Sequence, residues 1–393
     1  MEAPWGRNAR GYDMRRHGDS IISKSPCYDL SSSRVLDRAR LEDKAWHNTP
    51  RAAISADSRL PFLNLEPTIK THPVRRSGNS GKGFIMQRIQ NMLIAVDLRH
   101  GDRLVDDDLN AATQAAIRQG LEFAVCTKAQ VTFCYVLEIS EQALDRIRDD
   151  KQNVFVTVED FARNALQKIV QQAQSQGVSA RFVLRTGSTW EQLLRQIDEE
   201  KHDLVLIGTR QRSAVTRTVF GSTAQRLLRT AACPVWIVKP EEVREIREIV
   251  VATDMSEACL VALHTGIYTA RLLQAKLFVV HALEYPFEAY LRTAGIAEEE
   301  VHRIRHDLRT EAQAKIDAQL EKTDFRTLQH GLKTEILEGS PDEILPKFVT
   351  ENAVDLLIMG THGHTGISRM LLGNTAERML PHIQASVLTV RIA

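Results

Sequence analysis

The chain has 393 residues, of which 43% are hydrophobic and 26% charged, and its formal net charge is +1. That length favours two domains, the composition is that of a soluble globular protein, and the near-neutral charge gives no sign of a nucleic-acid partner. No apolar run approaches the ~20 residues of a membrane span.

The five cysteines, Cys27, Cys126, Cys134, Cys233 and Cys259, are scattered and form no Cys-x-x-Cys or zinc spacing. They read as reduced core thiols of a cytosolic protein.

Residues 1–85 stand apart. They hold 15 Lys and Arg against 9 Asp and Glu, while the rest of the chain holds 36 against 41. The stretch is rich in Ser, Arg, Asn and Pro, and only Arg34 to Trp46 could make a short helix. It reads as a disordered basic extension. It lacks the apolar h-region of a secretory signal. Met86 immediately precedes the first periodic pattern, so an over-extended start is the alternative.

From Asn91 the pattern alternates. Met92 to Val96 reads as a buried strand, Asp107 to Ala124 as a helix and Val131 to Leu137 as a strand. Val154 to Gln176 reads as a long helix ending before Gly177, followed by a strand from Ala180 to Leu184. Thr189 to Glu200 is helical, Asp203 to Ile207 a strand, then a helix starts at Ser222 and a strand runs from Pro234 to Val238. Strands alternating with helices imply a parallel sheet covered on both faces.

The pattern then repeats. Gly187-Ser188 answers Gly339-Ser340, Asp203 to Gly208 answers Asp355 to Gly360, Gly221 answers Gly373, and Val235 to Val238 answers Val387 to Val390, all at an offset of 152 residues. A fixed offset across four motifs indicates duplication. Asp97 answers Asp254. The domains expected are 86–240 and 246–393.

Asp355 to Met359 is a short apolar strand that runs into a loop with Gly360, Gly363 and Gly373, and a helical pattern starts at Asn374. Strand, glycine loop and helix start form a phosphate cradle in α/β proteins, because first-turn N–H groups are free and glycine lets the backbone approach. A tight connection with no ligand is the competing reading. Asn374 or Thr375 is the expected helix cap. The loop lacks the Lys-Ser/Thr pair of a P-loop.

The spacing Gly-x2-Gly-x9-Gly resembles the nucleotide loop of the universal stress protein family. Ile249 to Ser256 resembles that family's first strand, which ends in an aspartate facing the adenosine. Gly373-Asn-Thr-Ala-Glu and Gln90 to Asp97 resemble its two-domain E-type members.

The resemblance implies an α/β fold of two tandem doubly wound five-stranded parallel sheets, each in the order 3-2-1-4-5. It also implies binding of ATP or a related adenine nucleotide, with Mg²⁺ as a further cofactor. The implied contacts in the second copy are Ala252, Thr253, Asp254, Val280, Met359, Gly360, Gly363, His364, Gly373, Asn374 and Thr375. A pseudo-dimer of the two copies, with Leu388 to Ile392 as a pairing edge, a further homodimer and an unidentified protein partner fit the same resemblance. Membrane and nucleic acid are not expected partners, and the expected location is cytoplasmic.

The first copy departs from the pattern. Gln211 stands where the middle glycine should be, between Arg210 and Arg212. Its Cβ disfavours φ > 0 and fills phosphate space. Nucleotide is therefore expected only in the second copy, and substitution of Gly208 is expected to matter little to it. The second copy has Asn374 where nucleotide-binding relatives carry Ser or Thr.

Asp254 is read as an adenosine or Mg²⁺ ligand, or as the cap of the next helix. His281 is read as a packed or pocket-lining residue, and His362 and His364 as solvated loop residues. No Ser/His/Asp triad, nucleophile elbow or kinase signature occurs, so a weak ATPase is the most enzymatic activity expected. The alternative function is a nucleotide-independent interaction or small-ligand module.

Overall fold

The computed structural model describes residues 89–99, 109–139, 154–209, 221–240, 245–361 and 373–391. The expectations for residues 1–85, for Arg210, Gln211 and Arg212, and for 362–372 fall outside these.

Ten strands form one sheet among the described residues. The first copy supplies β1 (Asn91–Val96), β2 (Gln130–Leu137), β3 (Ala180–Thr186), β4 (Leu204–Gly208) and β5 (Val235–Val238). The second supplies β6 (Glu248–Ala252), β7 (Lys276–Leu283), β8 (Leu332–Glu338), β9 (Leu356–Gly360) and β10 (Ser386–Val390). The order is β3-β2-β1-β4-β5-β10-β9-β6-β7-β8. Each half is parallel and runs 3-2-1-4-5, as expected. All the described residues lie in one compact unit, Asn79–Ala393.

The strands are apolar on both sides because helices cover both faces. Along β1, Met92, Ile94 and Val96 join one core layer and Leu93 the other. The first layer is closed by α1 (Ala111–Thr127), α2 (Val154–Ser175), α5 (Glu257–Leu273) and α7 (Glu298–Leu320). The second is closed by α3 (Thr189–Glu200), α4 (Ser222–Thr230), α8 (Pro341–Glu351) and α9 (Asn374–Met379). A short helix, α6 (Glu288–Thr293), precedes α7.

Two glycines allow the central helices to lie close to the sheet. A Cβ on Gly120 of α1 would stand 2.4 Å from the Ile94 side chain, and one on Gly266 of α5 would stand 2.2 Å from Val251.

Several boundaries differ from expectation, each for a local reason. The helix expected from Asp107 starts at Ala111, because Asn110 caps it by accepting from Thr113 N at 2.9 Å. It runs on to Thr127, where Lys128 turns left-handed at φ 58°. Strand β3 extends to Thr186 because Arg185 and Thr186 still pair with Val136 and Leu137. Strand β10 begins at Ser386 rather than Leu388, since Ser386 already pairs with Leu356.

The halves meet at β5 and β10, which run antiparallel. Leu388 lies opposite Trp236, Val387 opposite Ile237 and Thr389 opposite Val235. Trp236 is fully buried and meets Phe123 edge to face, with centroids 5.3 Å apart.

Each half also sends a cation across the seam. Arg391, just after β10, donates to the Leu228 carbonyl at 2.6 Å, near the C-terminus of α4. Lys239, just after β5, donates through Nζ to the Ile383 carbonyl and through its backbone N to Ser386 Oγ at 3.2 Å. The Leu228 carbonyl lies in the last turn of α4, where carbonyls lack an intrahelical partner and positive charge is favoured.

Arg391→Ala is therefore expected to cost about 1–3 kcal/mol, the cost of a buried carbonyl left unpaired. A thermal melt reads this as a fall of several degrees. An unchanged melting temperature would show that the cross-seam bond contributes nothing.

Candidate functional site

In an open α/β sheet, ligands bind beyond the strand C-termini where the strand order reverses. In the second copy that point lies between β6 and β9, which pair directly through Ala252 and Met359. Beyond β6 the chain makes a pinned turn. Thr253 N donates to the Val280 carbonyl at 2.9 Å, and its own carbonyl takes the His281 Nδ1 proton at 2.8 Å. His281 is therefore a strand-end lock, buried as expected.

Met255 sits at φ 63°, and its N–H meets Thr253 Oγ1 at 2.9 Å. Gln319 of α7 donates to the Met255 carbonyl at 2.8 Å and holds the turn from outside.

Asp254 does not cap α5, contrary to one reading of the sequence. Ser256 is the cap, its Oγ accepting from Cys259 N at 3.3 Å. Asp254 Oδ1 instead accepts from Ser256 N at 2.9 Å, the two-residue reach of an aspartate turn. Cys259, packed beneath, is a core thiol. Burial first and the Asp254 charge second push it up to about 12.

The other wall comes from β9. Thr361 N donates to the Val390 carbonyl at 3.0 Å, and the Thr361 carbonyl accepts from Gly373 N at 3.1 Å. Thr361 and Gly373 are thus hydrogen-bonded to each other. Gly373 is the N-cap of α9, with φ −59° and no side-chain cap bond. Asn374 and Thr375 are its first helical residues and are exposed. The expectation that one of them caps the helix is overturned, because the chain enters the helix one residue earlier.

A Cβ on Gly373 would meet only the Thr361 carbonyl, at 3.6 Å, an ordinary contact. Neither the backbone angle nor packing against the described residues requires glycine there.

The structure thus gathers Ala252, Thr253, Asp254, Met359, Gly360, Gly373, Asn374 and Thr375 around one switch point. Val280 is fully buried in the core layer, and its carbonyl is used by Thr253. Gly363 and His364 lie outside the described residues, as does His362.

The first copy has the corresponding geometry with different chemistry. A cavity of about 240 Å³ opens at its switch point, lined among others by Asp97, Arg99, Glu138, Thr189, Gly208 and Gly221. Arg99 spans it. Its Nε is 2.8 Å from Asp97 Oδ1 and its Nη1 is 2.5 Å from Glu138 Oε2. Thr189 donates to the second Glu138 oxygen at 2.7 Å.

The Asp97 bond, working against burial, raises the Arg99 guanidinium above its usual range. Burial alone would raise the Glu138 carboxyl, yet Thr189 and Arg99 hold it below its ordinary value. Sequence reasoning missed Arg99, Glu138 and Thr189. The legible signal was an arginine two residues after Asp97, where the second copy has Ser256.

Gly208 has a packing role that the sequence reading did not include. A Cβ there would lie 2.2 Å from the Ala112 carbonyl, so glycine lets α1 cross β4.

Comparison with known proteins agrees with this architecture. A model of the universal stress protein family matches residues 104–239 and again 245–391. The chain belongs to the universal stress protein family, as a tandem member.

It is 23% identical over 229 residues to universal stress protein E of Photorhabdus laumondii, across 51% of this chain and 65% of that protein. The chain thus spans just under two thirds of that relative's length. It is 32% identical over 149 residues to a universal stress protein of Methanocaldococcus jannaschii, across 37% of this chain and 82% of that one.

Among solved structures, a universal stress protein of Archaeoglobus fulgidus superposes with a TM-score of 0.55 at 17% identity, over 78% of this chain and 99% of that one. A protein of unknown function from Pseudomonas aeruginosa gives 0.56 at 19%, over 78% and 94%. These two show the shared fold. Among the described residues no helix is long and apolar enough to cross a membrane.

Two stability outcomes follow. Asn374→Ala is expected to change stability by less than about 0.5 kcal/mol, because Asn374 caps nothing. Gly208→Ala is expected to cost about 1–3 kcal/mol through overpacking against Ala112. Denaturant unfolding of both variants checks the pair, and the reverse order would contradict the geometry.

Proposed function

We propose that this chain is a cytoplasmic stress-response protein that binds ATP or a related adenine nucleotide in its second copy. Binding would act by shifting its conformation or its partners. The observation that carries the assignment to one copy is Arg99. In the first copy this arginine occupies the switch point, bonded to both Asp97 and Glu138. The second copy has Ser256 at the matching place and keeps the three-glycine spacing Gly360, Gly363, Gly373.

In this reading the phosphates lie against Gly373, Asn374 and Thr375, and the glycine leaves room that none of the described residues fills. Asp254 faces the nucleoside side. If Mg²⁺ accompanies the nucleotide, Asp254 is the residue that would hold it, and the ion would supply charge neutralisation. Among the described residues no group of three His, Cys, Asp or Glu side chains forms a metal site. The described residues of this cradle would bind and orient the nucleotide.

The test is ATP titration of Gly373→Val and Gly221→Val beside the unaltered protein. Both glycines have ordinary backbone angles and no close contact among the described residues, so both variants are expected to fold. Gly373→Val should abolish binding and Gly221→Val should leave it unchanged. Asn374→Ser, which restores the family hydroxyl, should strengthen binding by about 0.5–1.5 kcal/mol if one net hydrogen bond is gained. Absence of binding by the unaltered protein would end the nucleotide reading and leave a nucleotide-independent interaction module.

A further inference from the structure

A second cavity lies on the seam, away from both switch points. It measures about 390 Å³. Both copies build its wall: Phe123 and Pro234 come from the first, Val261, Tyr268, Thr269 and Leu388 from the second. The lining is chiefly apolar, in the size range of small-molecule pockets, and such pockets favour boundaries between domains.

Its charged neighbours are already engaged or lie at the mouth. Asp203 accepts from Gln90 N and Asn91 N at 2.7 and 3.1 Å, Arg391 donates to Leu228, and Asp198 and Lys201 are exposed. Burial lowers the pKa of both lining histidines, His202 and His264, which favours their neutral forms. Two wall residues are different. His202 Nδ1 is buried with no hydrogen-bond partner among the described residues. Thr269 is 1% exposed, and its hydroxyl has no hydrogen-bond partner among the described residues. Buried hydroxyls in native proteins are almost always bonded.

The internal pseudo-symmetry supplies a control. The matching side of the seam also has a cavity, but it is about 150 Å³ and polar, lined by Arg118, Gln119, Lys239, Asp355 and Ser386 among others. The fold alone therefore does not dictate a large apolar space. At equivalent places, Arg118 faces one side and His264 the other, Ser386 one side and Pro234 the other.

We propose that the seam cavity is a binding site for a small neutral molecule. The occupant is mostly apolar, ring-bearing, and carries one hydroxyl or carbonyl group that bonds Thr269. Apolar walls and engaged charges disfavour an anion or a cation. That bond would require Thr269 to rotate about χ1 and turn its buried hydroxyl toward the cavity, whose wall also includes Tyr268 and Phe123. The site is independent of the nucleotide reading.

The test uses 1-naphthol as probe on the full chain, with naphthalene and 1-naphthalenesulfonate as controls, read by probe fluorescence. Saturable binding of 1-naphthol is expected, about fivefold tighter than naphthalene for one net hydrogen bond, with the sulfonate binding least. Thr269→Val keeps the shape and removes the hydroxyl. It should bring 1-naphthol down to the naphthalene affinity without lowering the melting temperature. Val261→Trp should fill the space and abolish binding of both.

No saturable 1-naphthol binding, equal affinity for 1-naphthol and naphthalene, or tightest binding of the sulfonate would each overturn the proposal. So would unchanged binding in a folded Val261→Trp variant. Because ATP titration is read separately, failure here leaves the nucleotide site standing, and the converse also holds.

Discussion

The antiparallel pairing of β5 with β10 is the constraint on which the rest depends. A five-stranded parallel sheet leaves β5 or β10 as an apolar edge, and such an edge recruits other chains unless it is covered. In this chain each copy covers the other. Trp236 and Leu388 meet across the pair, and Lys239 and Arg391 reach over it to carbonyls of the opposite copy. One direction reversal has two further consequences. Strands in the two copies run in opposite senses, so their switch points face opposite edges of the joined sheet. The C-terminal end of β10 also comes beside the N-terminal end of β5, and the seam cavity opens between them.

Within that frame the copies have diverged by local exchanges of chemistry at equivalent positions. Arg226 stacks over the Trp190 ring at 4.7 Å, whereas its counterpart Arg378 pairs with Asp342 at 2.9 Å. Both hold the helix after the third strand against the last helix, one by cation–π attraction and one by charge. The same logic separates the switch points. Arg99 supplies an internal cation to Asp97 and Glu138, where the second copy has a serine cap and a turn pinned by Gln319. One copy thus meets its own electrostatic demand, and the other keeps the glycine spacing that suits an external anion.

Much of the fold was legible because strand periodicity and turn residues are local properties. Thr189–Glu200 matched to the residue, since Gly187 and Ser188 mark its start and its apolar face is regular. The strand order came from family resemblance, which carries topology that periodicity does not. The first helix was extended too far upstream because Asn110, not the acidic run before it, supplies the capping oxygen. The site was read less well, for physical reasons. Whether Asn374 caps α9 depends on a backbone angle at Gly373 that composition does not reveal. The Arg99 bridge needs Glu138 and Thr189, which are brought beside it only when β1 and β2 pair and α3 docks. The seam cavity draws on residues from both copies, so nothing along the sequence announces it.

The two copies are thus proposed to divide their roles, with Arg99 holding the carboxylates of the first switch point and nucleotide taken by the second. Native mass spectrometry of the purified full chain in the presence of saturating ATP counts the outcome directly. One adenine nucleotide per chain is the result expected. Two per chain would contradict the proposed role of Arg99 in excluding nucleotide from the first copy, and none would contradict nucleotide binding by the second.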